Sequence, residues 1–200
     1  MKKILFVCHG NICRSPMAEY VMKDLVKKAG LEDQFQIASA ATSREEIGNP
    51  VYPPARRKLA EHGISCDGHA ARQLRNNDYE EYDLLIGMDR ANLRNMYHIC
   101  GGDFNDKMHL LMEYAGRRKG PPHEPSEAGR VGRGEARERS EFSPQAETEK
   151  SGLCFDEVAD PWCTDDFDAT WRDVLEGCYG LLRKLEDAEK SNDVTPKISG

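Results

Sequence analysis

Val7-Cys8-His9-Gly10-Asn11-Ile12-Cys13-Arg14-Ser15-Pro16 is the stretch on which the reading of this chain turns. Just upstream, Ile4-Leu5-Phe6-Val7 is a short continuous apolar run with β-branched residues, as expected of a strand buried on both faces. Downstream, Ser15 is a favoured helix N-cap and Pro16 suits the first helical position. Met17, Tyr20, Val21, Leu25 and Val26 then recur at helical spacing until Gly30 stops the run. A strand, a Gly/Asn-bearing turn and a helix, in that order, begin a βαβ unit.

The remaining chain repeats the alternation. Gln36 to Ala40 reads as a second strand, and Pro53-Pro54 opens a helix that His62-Gly63 ends. Tyr82 to Met88 contains a third strand, Asp89 can cap a helix from about Ala91 to Tyr97, and Met108 to Met112 is a fourth candidate strand. A long helix from about Asp166 to Glu189 carries Phe167, Trp171, Val174, Leu175, Cys178, Leu181, Leu182 and Leu185 on one stripe. The pattern predicts an α/β three-layer sandwich of the flavodoxin-like kind, a four-stranded parallel sheet with helices on both faces. Residues 116–152 break it: Gly, Pro, Ser, Arg and Glu dominate, and Val131 and Phe142 are almost the only large apolar side chains. We expect a disordered insertion within one domain spanning 1–190, followed by a flexible tail at 191–200.

Composition narrows the classes. A net charge of -7 over 200 residues argues against a nucleic-acid partner. No apolar run approaches the ~20 residues that span a bilayer, so no membrane partner is expected. The apolar run after Met1-Lys2-Lys3 is too short for a secretory signal, and the 7 cysteines are odd in number and scattered. The expectation is a cytoplasmic protein without a disulfide framework.

Cys8 and Arg14 stand in a Cys-x5-Arg spacing between a buried strand and a helix N-terminus. A loop of that size can turn successive backbone N–H groups inward and make an anion cradle. The planar fork of Arg14 can grip two oxygens of one anion. Loop dipoles, the helix terminus and Arg14 all favour a Cys8 thiolate, which then faces a tetrahedral anion as a nucleophile aimed at phosphorus. Spacing alone is weak evidence, because Cys66 and Arg72 form a second Cys-x5-Arg. That one lacks a strand immediately before it and a capped helix immediately after, so context selects Cys8.

Through Gly10-Asn11-Ile12-Cys13-Arg14-Ser15-Pro16, the chain resembles the low-molecular-weight protein tyrosine phosphatases. The likeness continues at Ser39-Ala40-Ala41-Thr42-Ser43, His69-Ala70-Ala71-Arg72-Gln73, Tyr82 to Asp89, and Asp160-Pro161-Trp162. The resemblance implies that His9, Gly10, Asn11, Ile12, Cys13, Arg14 and Ser15 form the phosphate-binding loop and that Cys8 attacks the phosphate. Arg14 and the loop amides then stabilise the transition state, and Asp160 serves as general acid and then base. It implies a supporting network of Asn11, Ser15, Ser39 and His69, a substrate that is a phosphotyrosine-containing protein, and no metal or cofactor.

Asp160 is singled out from Asp156, Glu157, Asp165, Asp166 and Asp168 because Pro161 stiffens its loop and Trp162 offers an aromatic wall. Ile12 and Glu45 complete the expected wall, and His9 falls on the rim. Cys13 is expected either to capture an oxidised Cys8 as a disulfide or merely to pack under the loop. Cys100, Cys154 and Cys178 read as packing residues. The chain departs from the family pattern at Glu45-Glu46, where many relatives carry an aromatic, and at Cys163, which replaces the second aromatic of the acid loop.

Three other readings stand beside this one. Protein arginine phosphatase shares the scaffold but goes with Thr where this chain has Ile12. A thiol-coupled arsenate reductase needs a further pair of closely spaced cysteines, and Cys66 and Cys100 are far apart. An oxyanion-binding or redox-sensing module would not need Asp160.

Overall fold

The computed structural model describes residues 1–116 and 157–192. The proposed insertion from 117 onward, with Val131, Phe142, Cys154 and Asp156, and the chain after 192 lie outside the described residues. Strand β1, Lys2–Cys8, runs through the middle of the sheet, and Ile4, Leu5, Phe6 and Val7 are completely shielded from solvent. Strands β2 (Phe35–Ala41), β3 (Leu84–Gly87) and β4 (Met108–Leu110) complete the order β2-β1-β3-β4, all parallel. Val7 pairs with Ala40 on one side and Gly87 on the other, and Cys8 pairs with Ala41.

Alternation along β1 divides the core in two. Ile4, Phe6 and Cys8 belong with α1 (Arg14–Lys28), α2 (Pro53–Glu61) and the apolar stripe of the last helix. Leu5 and Val7 pack with Leu74, Tyr79, Met96 and Cys100 from α3 (Asn76–Glu81), α4 (Arg90–Cys100) and the turn before α3. Helices therefore cover both faces, as the continuous apolar strands require. The chain leaves β1 for β2 on one side and later returns to β3 on the other. That reversal opens a crevice at the carboxyl ends of β1 and β3, where open α/β sheets bind ligands.

Several boundaries differ from expectation for local reasons. Helix α1 begins at Arg14 with Cys13 at its N-cap, so Ser15 is not the cap, and Pro16 sits deeper in the first turn, where a missing N–H still costs nothing. The Ser15 hydroxyl is occupied instead by Cys8 and Asn11. The six-residue α3 was not anticipated, because Tyr79 is its only large apolar residue and no period shows. Helix α5 (Pro161–Thr164) is a single turn and equally silent. Helix α6 (Phe167–Asn192) runs through Ser191 and Asn192, two residues into the expected tail. Its approach to the Leu111–Glu113 turn is close enough that a Cβ on Gly180 would fall 1.8 Å from the Tyr114 carbonyl oxygen.

Candidate active site

The loop from Cys8 to Arg14 is held from below by one side chain. Asn11 is fully buried and takes φ +58°, a left-handed conformation that Asn tolerates better than most residues. Its Oδ1 accepts the Arg72 backbone N–H at 3.1 Å, and its carbonyl oxygen meets His69 Nε2 at 2.8 Å. That leaves Nδ2 to donate to Ser15 Oγ at 3.0 Å and Ser39 Oγ at 2.8 Å. The four residues expected to form a supporting network therefore do meet, with Asn11 at the hub.

The network ends on sulfur. Asn11 N–H donates to Cys8 Sγ at 3.3 Å, and Ser15 Oγ lies 3.0 Å from the same atom. Since Ser15 Oγ accepts from Asn11, its own proton is free, and Cys8 Sγ is nearer than the Ala40 carbonyl at 3.4 Å. At the far end, the Ser39 hydroxyl donates to the buried carboxylate of Glu19, whose other oxygen pairs with Lys23. Glu19 is an acceptor only, so it sets the direction of the whole chain of bonds. Sequence reasoning missed it. Its signal is a carboxylate one turn after Ser15 on the inward face of α1.

Arg14 is 4% exposed and held between two carboxylates. Nη1 reaches Asp89 Oδ2 at 2.6 Å, and Nη2 reaches Asp160 Oδ2 at 2.9 Å. Burial works against its charge, but Cys8, Asp160 and Asp89 outweigh that and hold the guanidinium above its ordinary range. Asp89 was read only as a helix cap. It does cap α4, accepting from Asn92 N at 2.6 Å, and with its second oxygen it also aims Arg14.

Asp160 N-caps α5 by accepting from Trp162 N at 3.1 Å. The residues before it are pinned: Val158 N donates to Met88 O at 3.0 Å, Ala159 N to Asp173 Oδ2 at 3.0 Å, and Thr170 Oγ1 to Ala159 O at 3.0 Å. Three of the neighbouring acids are engaged elsewhere. Glu157 accepts from Arg90 N, Asp166 caps α6 at Ala169 N, and Asp168 pairs with Lys58, which lowers its pKa.

Cys8, His9, Gly10, Ile12, Cys13, Arg14, Glu45, Glu46, Asp160 and Trp162 line one pocket of about 280 Å³. That is the small end of ligand sites and suits an aryl-sized group. Trp162 is largely exposed and meets the Tyr52 ring edge-on at 5.8 Å, a support the sequence reading did not foresee. His9 Nε2 lies 3.1 Å from Glu45, and Asn49 donates to Glu46 at 2.6 Å, so one rim of the mouth is acidic. Cys13 is buried, and burial foremost, with the charge of Cys8, pushes its thiol up to about 12. Burial likewise raises Cys66, Cys100 (to about 11) and Cys178. Among the described residues no three His, Cys, Asp or Glu gather as a metal site.

Residues 3–131 match the family model described as low molecular weight phosphotyrosine protein phosphatase. The chain is 31% identical over 186 residues to the low molecular weight protein-tyrosine-phosphatase YfkJ of Bacillus subtilis, covering 93% of this chain and 97% of that protein. The crystal structure of YfkJ superposes with a TM-score of 0.72 at 30% identity, over 94% of this chain and 96% of YfkJ. The low molecular weight phosphotyrosine protein phosphatase of Gallus gallus is 45% identical over 96 residues, 48% of this chain and 60% of that protein. A drosophila arginine phosphatase matches with a TM-score of 0.67 at 25% identity, over 92% of this chain and 98% of its own.

Proposed function

The chain belongs to the low-molecular-weight phosphotyrosine protein phosphatase family, and from that premise we propose that it hydrolyses phosphotyrosine in proteins through a cysteinyl-phosphate intermediate. One observation carries the proposal: Cys8 Sγ, held by Asn11 N–H and Ser15, opens into the same pocket as Arg14 and Asp160.

Cys8 Sγ attacks phosphorus in line with the leaving oxygen, so an S–P bond forms as the P–O bond to the ring breaks. The loop amides and Arg14 spread the charge of the equatorial oxygens. Those oxygens take over the Nη2 face that Asp160 meets here, so Asp160 leaves its ion pair, takes up a proton from solvent and delivers it to the departing phenolate. In the second step Asp160 takes a proton from water, the water oxygen displaces sulfur, and inorganic phosphate leaves. Asn11, Ser15, Ser39 and His69 hold the loop shape, while Ile12, Glu45 and Trp162 bound the ring. The anion is met by Arg14 and backbone dipoles, so no metal or cofactor enters the steps.

Cys13 in the pocket wall is read as the partner of an oxidised Cys8. After a peroxide converts Cys8 to its sulfenic acid, the Cys13 thiol condenses with it, forming a disulfide and releasing water. No helix among the described residues is long and apolar enough to cross a membrane. The odd, scattered cysteines are what support a cytoplasmic location.

The test compares p-nitrophenyl phosphate, a phosphotyrosine peptide and a phosphoarginine peptide, for wild type and Cys8→Ser, with EDTA present. Cys8-dependent turnover favouring phosphotyrosine is the expected result. The likeness to the drosophila arginine phosphatase makes phosphoarginine the competing substrate, and a preference for it would keep the chemistry and overturn the role given to Ile12.

A further inference from the structure

Arg14 and Asp160 have a second side. Besides the catalytic pocket they border another cleft, lined by Asp89, Arg90, Ala91 and Arg94 at the start of α4 and by Glu157, Val158 and Ala159. The two clefts are therefore contiguous across the Arg14–Asp160 pair.

The charges of this second cleft are not equally engaged. Arg14 is committed to Asp89 and Asp160. Arg90 lies by Glu157, with its backbone N–H at 3.0 Å and its Nε at 3.8 Å. Arg94 is exposed, and its side chain has no hydrogen-bond or ion-pair partner among the described residues. It also borders the next groove along α4, with Tyr97, His98 and Glu113. Glu45 and Glu46 line the catalytic pocket and not this cleft. The catalytic pocket thus carries carboxylates at its mouth, while the adjoining cleft carries an unengaged guanidinium.

We propose that the α4-side cleft, with Arg94 as its free cation, receives an acidic residue flanking the phosphotyrosine of the protein substrate; this rests on the phosphatase reading above. An extended peptide advances ~3.3 Å per residue, so with its phosphotyrosine in the pocket the next few residues on either side lie across the rim. A Glu or Asp directed toward Arg94 meets an unpaired opposite charge, whereas the same residue directed toward Glu45 and Glu46 meets like charge. Such complementarity selects partners and fixes the direction in which they dock. The Asp89, Glu157 and Glu113 carboxylates near the cleft reduce the attraction, and the first two already have basic partners.

The experiment uses four phosphotyrosine peptides that carry either two Glu or two Lys, on the N-terminal or the C-terminal flank only. We would measure kcat/KM for the full chain as wild type, Arg94→Lys and Arg94→Glu, at low and high salt. In wild type, one Glu flank is expected to exceed its Lys counterpart by about three- to tenfold, as exposed charge pairs allow. High salt should shrink that ratio. The ratio should persist in Arg94→Lys and invert in Arg94→Glu. A wild type with no flank preference, or a Glu preference that survives Arg94→Glu, overturns the proposal. Wild-type hydrolysis of p-nitrophenyl phosphate separates the two ideas: turnover without flank preference removes only the role of Arg94, while absence of any turnover removes the phosphatase reading beneath it.

Discussion

Cys8 to Arg14 and Cys66 to Arg72 have the same spacing and opposite fates. Cys8 ends a central strand, its sulfur meets Asn11 N–H and Ser15, and Arg14 six residues on begins a helix and reaches two carboxylates. Cys66 follows a helix, is buried in the core with a raised pKa, and Arg72 is tied to the buried Asp78 at 2.9 Å. The second loop nevertheless serves the first. His69 and the Arg72 backbone hold Asn11 from both ends of its polar groups, and Gln73 bridges to Ala41 beside Cys8. On the proposed reading, a spacing becomes a reactive site only where strand end and helix start converge; elsewhere the same residues become scaffold.

The contrast predicts a graded set of outcomes. Cys8→Ser should lower turnover of p-nitrophenyl phosphate by about 10⁴-fold or more while phosphate still binds in a titration. Cys66→Ser should act on stability rather than on chemistry, and an equal kinetic loss would break the comparison. Next in size, Asp160→Ala should lose about 10²–10⁴-fold on substrates with poor leaving groups and much less on p-nitrophenyl phosphate. Leaving-group dependence unchanged from wild type would place the acid elsewhere.

Smaller effects sharpen the scaffold side. Arg72→Ala removes the ion-pair partner of the buried Asp78 carboxylate, which keeps the Arg75 N–H, and should cost about 1–3 kcal/mol in urea unfolding. Glu19→Ala removes the acceptor that orients Ser39, and a fall of about three- to tenfold in kcat is expected, at most about 1.4 kcal/mol. An unchanged kcat would show that Asn11 orients Ser15 without it.

A last prediction concerns pH. Cys13 and Cys100 rise from 9.0 to about 12 and about 11, so the fold favours their neutral thiols. Their contribution is full below pH 9 and is lost as pH climbs through the folded values, so stability should decline over about pH 9 to 12. Cys13 should also stay a thiol at pH 8, and iodoacetate labelling that reached it before Cys8 would contradict the assignment.

The long periodic elements were legible before any coordinates. β1, α1 and α6 fall where apolar spacing put them, because each buries one continuous face and the pattern records that burial, and α4 falls where the Asp89 cap put it. Helices α3 and α5 were not legible, being a turn or so long with too few apolar residues to set a period. The N-cap of α1 was misassigned to Ser15 because its hydroxyl has a better use across the loop. Asp89 was seen with one task and has two, since a cap is a local feature and the contact with Arg14 crosses 75 residues of chain.

By itself, then, the amino-acid sequence determined the α/β alternation, the choice of Cys8 over Cys66 and the candidacy of Arg14, all of which are properties of neighbouring residues, while Asp160 was a candidate through the family resemblance. The tertiary structure alone decided how those residues are aimed. Asn11 is gripped by residues about 60 positions away, Ser39 is turned by Glu19, and Arg14 is shared between Asp89 and Asp160. Hydrogen-bond direction depends on which donors and acceptors meet in three dimensions, and no local pattern encodes those meetings.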